Sequence, residues 1–275
     1  LMLAVTTFIS TDIAAVPLLW VLPLSLYLLT FVLTFGSSPR YPVTAIDRAL
    51  PLLLLPLVLF LVLRIGGPIG LVVPVHLAVF FLAAMVCHRA LADDRPDPAH
   101  LTEFYLLVAL GGVMGSLFNT LAAPLLFTGI VEYPAVLVLV CLLRRPQQEA
   151  TLPRGWSTAA PILAGVITIA IMLATARLDS LALRFGLLGI PTFFCLSLSR
   201  TRVPFAAAIA AMLVASALQP DELGRVLHAE RTFFGAYKVR LEPGGQHRTL
   251  AHGTTLHGVQ SVDQARQGEA LSYYH

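Results

Sequence analysis

Three histidines, His247, His252 and His257, recur every five residues late in the chain, and imidazole nitrogens are common ligands of transition metals. In an extended strand an interval of five sends successive side chains to opposite faces. The three converge only if turns intervene, and no metal is assigned to them. A second polar group comprises His76, Cys87, His88, Asp93, Asp94, Asp97 and His100. No pair of His or Cys in it has the i, i+4 helical spacing of a known zinc motif, and its later part reads as a solvated loop. Asp12, Glu103 and Glu132 lie near the ends of apolar stretches, within reach of water or headgroups. An ionisable group deep in a bilayer is a functional candidate by default, and Glu132 is the one of the three that merits a test. Cys87, Cys141 and Cys195 are far apart in apolar segments, without CxxC spacing, and read as small buried hydrophobes. No catalytic residue and no metal ligand follows from these groups.

The segments that must position them are apolar to an extent only a bilayer asks for. Hydrophobic residues make up 57% of the chain and charged ones 12%, against about 25% charged in an ordinary soluble domain. Mean hydropathy is +0.81. Ile13–Phe35 is uncharged and long enough to cross roughly 30 Å of hydrocarbon at about 1.5 Å per residue. Seven further candidate spans follow: Ala49–Leu63, Ile69–Leu91, Phe104–Ala122, Leu125–Leu143, Ala159–Ala176, Leu181–Leu198 and Val203–Leu218. The expected fold is mainly α: a polytopic transmembrane bundle of about seven or eight spans over residues 1–218. Proline recurs inside these segments, at Pro17, Pro23, Pro51, Pro56, Pro74, Pro161 and Pro191. Kinked helices in a bundle accommodate them, as do broken helices around a transporter-like cavity. Gly111/Gly115 and Gly112/Ser116 offer small residues at helical spacing, a pattern that lets helices approach closely.

Net charge is +3 and no basic run occurs, so nucleic acid is not an expected partner. With eight spans, Arg40, Arg48, Arg89, Arg95, Arg144, Arg145, Arg154, Arg200 and Arg202 fall on one side of the membrane. Arg64, Arg177 and Arg184 fall on the other, with the start of the C-terminal tail. The excess puts the first side in the cytoplasm and the tail outside, unless Leu125–Leu143 dips in without crossing. After Leu218 the pattern changes. Arg231–Glu242 alternates with a period of two and predicts one strand with a buried face. Pro243–Gln246 predicts a turn, and Arg248–Ala251 and Thr254–Val262 predict further strands. Residues 219–275 thus begin a small antiparallel sheet, too short for a robust independent domain. Leu1 opens in apolar sequence and His275 closes without a winding-down tail, so the chain is expected to be a fragment of a longer protein.

Several motifs occur in a fixed order. In the apolar part they are Ala15-Val16-Pro17-Leu18-Leu19-Trp20-Val21-Leu22-Pro23-Leu24, Cys87-His88, Leu101-Thr102-x-Phe104-Tyr105, Gly111-Gly112 and Glu132-Tyr133-Pro134. In the tail they are Arg231-x-Phe233-Phe234-Gly235-x-Tyr237, Leu250-x-His252-Gly253-Thr254-Thr255-Leu256-His257-Gly258-x-Gln260 and Tyr273-Tyr274-His275. Together they resemble bacterial fused membrane proteins with a spermidine synthase-like domain, the fused MFS/spermidine synthase family, over nearly the whole chain. The resemblance implies a multi-pass protein of the bacterial inner membrane, with the lipid bilayer and a small polyamine substrate as partners. Residues 219–275 then form the truncated N-terminal β portion of the spermidine synthase-like domain. By the same resemblance Gly258-Val259-Gln260 is a turn beside the substrate cleft, and Tyr273 or Tyr274 supplies a cleft tyrosine.

Decarboxylated S-adenosylmethionine is the co-substrate implied for the full-length protein. The Gly-rich strand–turn–helix that holds its nucleoside does not occur after Gln260, nor does an acidic pair to bind a diamine. This chain alone is therefore not expected to catalyse aminopropyl transfer, and no cofactor is expected in it. Two other readings stay open. One is a carrier for a small solute, with a midplane cavity lined by His76, Asn119 or Glu132. The other is a membrane scaffold bearing a non-catalytic domain.

Overall fold

The computed structural model describes residues 1–13, 16, 18–36, 42–64, 68–144, 151–175, 180–219, 223–232, 235–253 and 255–272. Ten helices and a four-stranded sheet account for most of them. In chain order the helices are α1 (Met2–Phe8), running on as a π-helical turn Ile9–Ile13, then α2 (Val21–Phe35), α3 (Val43–Leu63) and α4 (Ile69–Asp93). Next come α5 (Leu101–Leu117), a π-helical turn Phe118–Ala122, and α6 (Ala123–Leu126). The last four are α7 (Glu132–Leu143), α8 (Trp156–Thr175), α9 (Leu181–Ser197) and α10 (Arg202–Ala217). The strands are β1 (Arg225–Thr232), β2 (Gly235–Leu241), β3 (His247–His252) and β4 (Thr255–Ser261).

Among the described residues, four helical runs are long and apolar enough to cross a bilayer: α3, α4, the continuous stretch Pro98–Leu126, and α8. That is fewer than the seven or eight expected. The difference arises where apolar sequence is not helix. Within Ile13–Phe35 the described helix α2 covers Val21–Phe35, and Leu18 just before it takes φ 63° in a turn. In Leu125–Leu143 helix ends at Leu126 and resumes at Glu132. Helices α2, α7, α9 and α10 have 15, 12, 17 and 16 residues, short of the ~20 a perpendicular span requires. The internal prolines do not end their helices: α3 continues through Pro51 and Pro56, α4 through Pro74, α8 through Pro161 and α9 through Pro191.

The chain divides into two compact units, the first made of Leu1–Met2, Val21–Asp97 and Pro134–Gln219, the second of Leu3–Trp20, Pro98–Tyr133 and Pro220–His275. In the first unit, helices run back and forth between two ends. At one end Arg89 of α4 reaches the Asp47 carboxylate near the start of α3 at 3.2 Å. At the same end Arg144 donates to the Asp47 carbonyl at 3.1 Å and to the Ser199 carbonyl just before α10. At the other end the Ser216 hydroxyl of α10 donates to the Val62 carbonyl of α3 at 2.9 Å, and Arg64 donates to the Ser216 carbonyl at 3.0 Å. So α3 and α10 run parallel and are tied at both ends. Arg184 donates to the Thr175 carbonyl at 3.1 Å, which sets the start of α9 beside the end of α8.

Four buried hydroxyls in these helices bond within their own helix. Thr168 donates to the Ala164 carbonyl, Thr175 to Ile171, Thr192 to Leu188 and Thr34 to Thr30, all at 2.7–2.9 Å. This is how a hydroxyl is satisfied where water is absent. Small residues of α8 and α10 approach closely: a Cβ on Gly165 would lie 3.1 Å from Ala211 Cβ. Gly111, Gly112 and Gly115, singled out by spacing, face open space instead.

In the second unit, α5 has no buried residue and is apolar on every side, with Leu106, Leu110, Val113 and Met114 at least half exposed. The sheet has the order β1-β2-β3-β4, every pair antiparallel. The expected single strand Arg231–Glu242 is two. Arg231 and Thr232 close β1, Gly235 opens β2, and Thr232 stands opposite Gly235. Burial also differs from the expected one-sided pattern. Ala236 and Arg240 are buried while Tyr237 and Val239, on the other face, are half-buried, so both faces of β2 are partly covered. Gly245 N–H donates to the Glu242 carbonyl at 2.8 Å, closing the turn expected at Pro243–Gln246.

Candidate functional site

The densest set of ionisable groups in the second unit gathers against the sheet. Glu132 stands in the first turn of α7, where a carboxylate also meets the favourable end of the helix dipole. Its two oxygens take both terminal nitrogens of Arg231, at 2.8 and 2.5 Å, and Arg231 adds a 2.6 Å bond to the Gly129 carbonyl. The two side chains are 4% and 1% exposed, so the pair is sealed from water. A bidentate guanidinium–carboxylate fork with a third acceptor is the geometry that makes such burial tolerable.

Asp12 joins this set from the π-helical turn after α1. A close approach of backbones places it: Gly253 sits at φ 57°, and a Cβ there would lie 1.9 Å from the Thr11 carbonyl oxygen. Only glycine fits there. Burial raises the Asp12 carboxyl above the usual carboxylate range; Lys238, His252 and Arg231 draw it back, and Glu132 pushes it further up. A second glycine, Gly235, packs beneath His252, whose ring stacks on Tyr237 at 4.7 Å between centroids. Nε2 of His252 is buried with no hydrogen-bond partner among the described residues.

The bulge between Leu250 and Ala251 in the β3–β4 hairpin brings His257 within 5.9 Å of His252, ring to ring. His247 lies apart, 3.4 Å from Glu242. Two of the three tail histidines therefore meet, and the third pairs with a carboxylate.

The loop set is dispersed. His88 holds Thr30 at 3.0 Å from within the α2–α4 contact, and Arg89 lies 3.5 Å from Asp93. His100 is exposed, 4.0 Å from Glu103. Gln260 is exposed on β4 opposite Arg248, so Gly258-Val259-Gln260 is strand and not the turn that the resemblance suggested. Tyr273 and Tyr274 lie outside the described residues. Sequence reading picked out Glu132 but not its partner. Arg231 is 99 residues away, and no local pattern links the two.

Chemically, the Glu132–Arg231 pair is a buried strut, with each carboxylate oxygen taken by one guanidinium nitrogen. Asp12 is the group in the cluster whose protonation is set by burial. No protein-family model, curated protein or solved structure matches the chain.

Proposed function

We propose that the chain is a multi-pass protein of the bacterial inner membrane, related to the fused spermidine synthase-like proteins. In this reading residues 1–218 form the membrane domain, and the full-length protein transfers an aminopropyl or other alkyl group from decarboxylated S-adenosylmethionine to a polyamine amine. Residues 219–275 supply the leading sheet of the transferase domain in this reading. The observation that carries the reading is a four-stranded antiparallel sheet directly after the last apolar helix, the position the resemblance gives to a small N-terminal sheet.

The span count of seven or eight is supported by α10. It runs beside α3 from the level of Asp47 to that of Val62, so it traverses the same thickness as a helix long enough to cross. Short helices deep in a bundle cross with help from polar caps and local thinning of the bilayer. Gln260, with Tyr273 and Tyr274, is the proposed lining of the substrate cleft, where a phenol packs on a methylene chain and bonds an amine. In the transfer the amine nitrogen bonds the carbon beside the sulfonium as that carbon's bond to sulfur breaks, the sulfur leaves as a neutral thioether, and a base takes the amine's proton. Isothermal titration of the full-length protein with decarboxylated S-adenosylmethionine and with putrescine tests this. Saturable heat from both is expected; no heat from either would overturn the transferase reading.

A further inference from the structure

The two ends of the first unit differ in charge, and the difference assigns a side of the membrane to the chain that follows it. Arg48, Arg95, Arg154 and Arg200 are exposed at or just beyond the end where Arg144 joins Asp47 to Ser199. At the other end stand Arg64 and Arg184. Counting Arg225, Arg231 and Lys238 of the tail with the latter pair still leaves the first end richer once the buried Arg144 and the half-buried Arg89 and Arg202 are included. Loops rich in arginine are retained in the cytoplasm.

Charge counting on sequence alone leaves the tail's side open, because it depends on whether Leu125–Leu143 crosses. The hydrogen bonds remove that dependence. Arg89 at the end of α4 and Arg144 just after α7 both reach Asp47, so α4 and α7 finish at the same end whatever lies between them. Helix α10 starts at that end and finishes at Ser216 beside Val62, and Arg64 also holds the Gln219 carbonyl there. We propose that the arginine-rich end faces the cytoplasm and that residues from Gln219 onward, including the β1–β4 sheet, are displayed on the extracytoplasmic face. The inference rests on the membrane-crossing part of the proposed function. It sets a condition on the transfer part: donor and acceptor amine must be supplied outside the cytoplasm.

Single cysteines at two exposed positions test it, in a full-length chain whose Cys87, Cys141 and Cys195 are replaced by alanine. An impermeant maleimide applied to intact cells should label His228→Cys in β1 and leave Arg95→Cys unlabelled until the inner membrane is permeabilised. The reverse pattern, or equal labelling of both, would overturn the assignment. Alkaline phosphatase fused behind His275 of the wild-type chain gives an independent readout should a cysteine variant not accumulate: active enzyme is expected, and inactive fusion protein at normal abundance would overturn it. A cytoplasmic tail would leave the transferase reading standing. An extracytoplasmic tail without donor binding would remove only that reading.

Discussion

Arg231 and Glu132 show how two residues of opposite charge become tolerable away from water. Taking either ion out of water costs several kcal/mol, offset here by a fork of two hydrogen bonds and a third to the Gly129 carbonyl. Removing one partner leaves an uncompensated charge at a sealed position. Glu132→Gln or Arg231→Gln should each lower unfolding stability in detergent by about 3–5 kcal/mol, and the double variant should lose less than the sum of the two. Additive losses in such a cycle would mean that the pair is not coupled. Asp12 gives a prediction of different sign. Its carboxyl is raised by burial, so its charged form opposes folding once pH exceeds the folded value. The native state then binds more protons than the unfolded state between the two values, and stability falls as pH rises through that window. Asp12→Asn should therefore stabilise the protein near neutral pH, with the gain vanishing at acid pH, as followed by denaturant unfolding across the range. A gain that persists unchanged in acid would show that the charge of Asp12 is not its cause.

At the scale of elements, α5 is the sharpest case. A helix that is apolar on every side and buried on none is unstable in water and ordinary in lipid. Leu110→Arg, near its middle, should cost about 2.5–3.5 kcal/mol of membrane insertion and deplete the protein from the membrane fraction, whereas Arg at exposed Leu223 should not. Equal accumulation of the two variants would argue that α5 does not meet lipid. This class of feature was legible in the sequence, because hydrocarbon imposes a composition that persists residue after residue. Helix limits were not. Apolar residues at 18–20 and around Phe127 look the same whether helical or turned, and only backbone geometry such as φ 63° at Leu18 separates them. Strand alternation was also readable, yet it ran across the β1–β2 reversal, since Arg231 and Thr232 carry on the period of β2. Spacing drew attention to Gly111 and Gly115, whereas Gly165 meets Ala211 on another helix; a close approach needs two partners, and one sequence segment shows only one of them.

At the scale of the whole molecule, both units expose large aliphatic side chains that a soluble protein would cover. Leu52, Ile162, Leu173 and Phe193 in the first, like Leu106 and Met114 in the second, are 55–76% exposed. Such surfaces are stable beside lipid tails and prone to aggregation in water. The polar groups follow the same division. Several Thr hydroxyls close on their own helices and arginines bond carbonyls at helix ends, while strands β1–β3 carry Arg225, Glu230, Arg231, Lys238, Arg240 and Arg248. Alkaline carbonate extraction of membranes from cells producing this chain tests that division most directly. Retention in the pellet, with release only by detergent, is the expected result. Recovery in the carbonate supernatant as a compact monomer would contradict it.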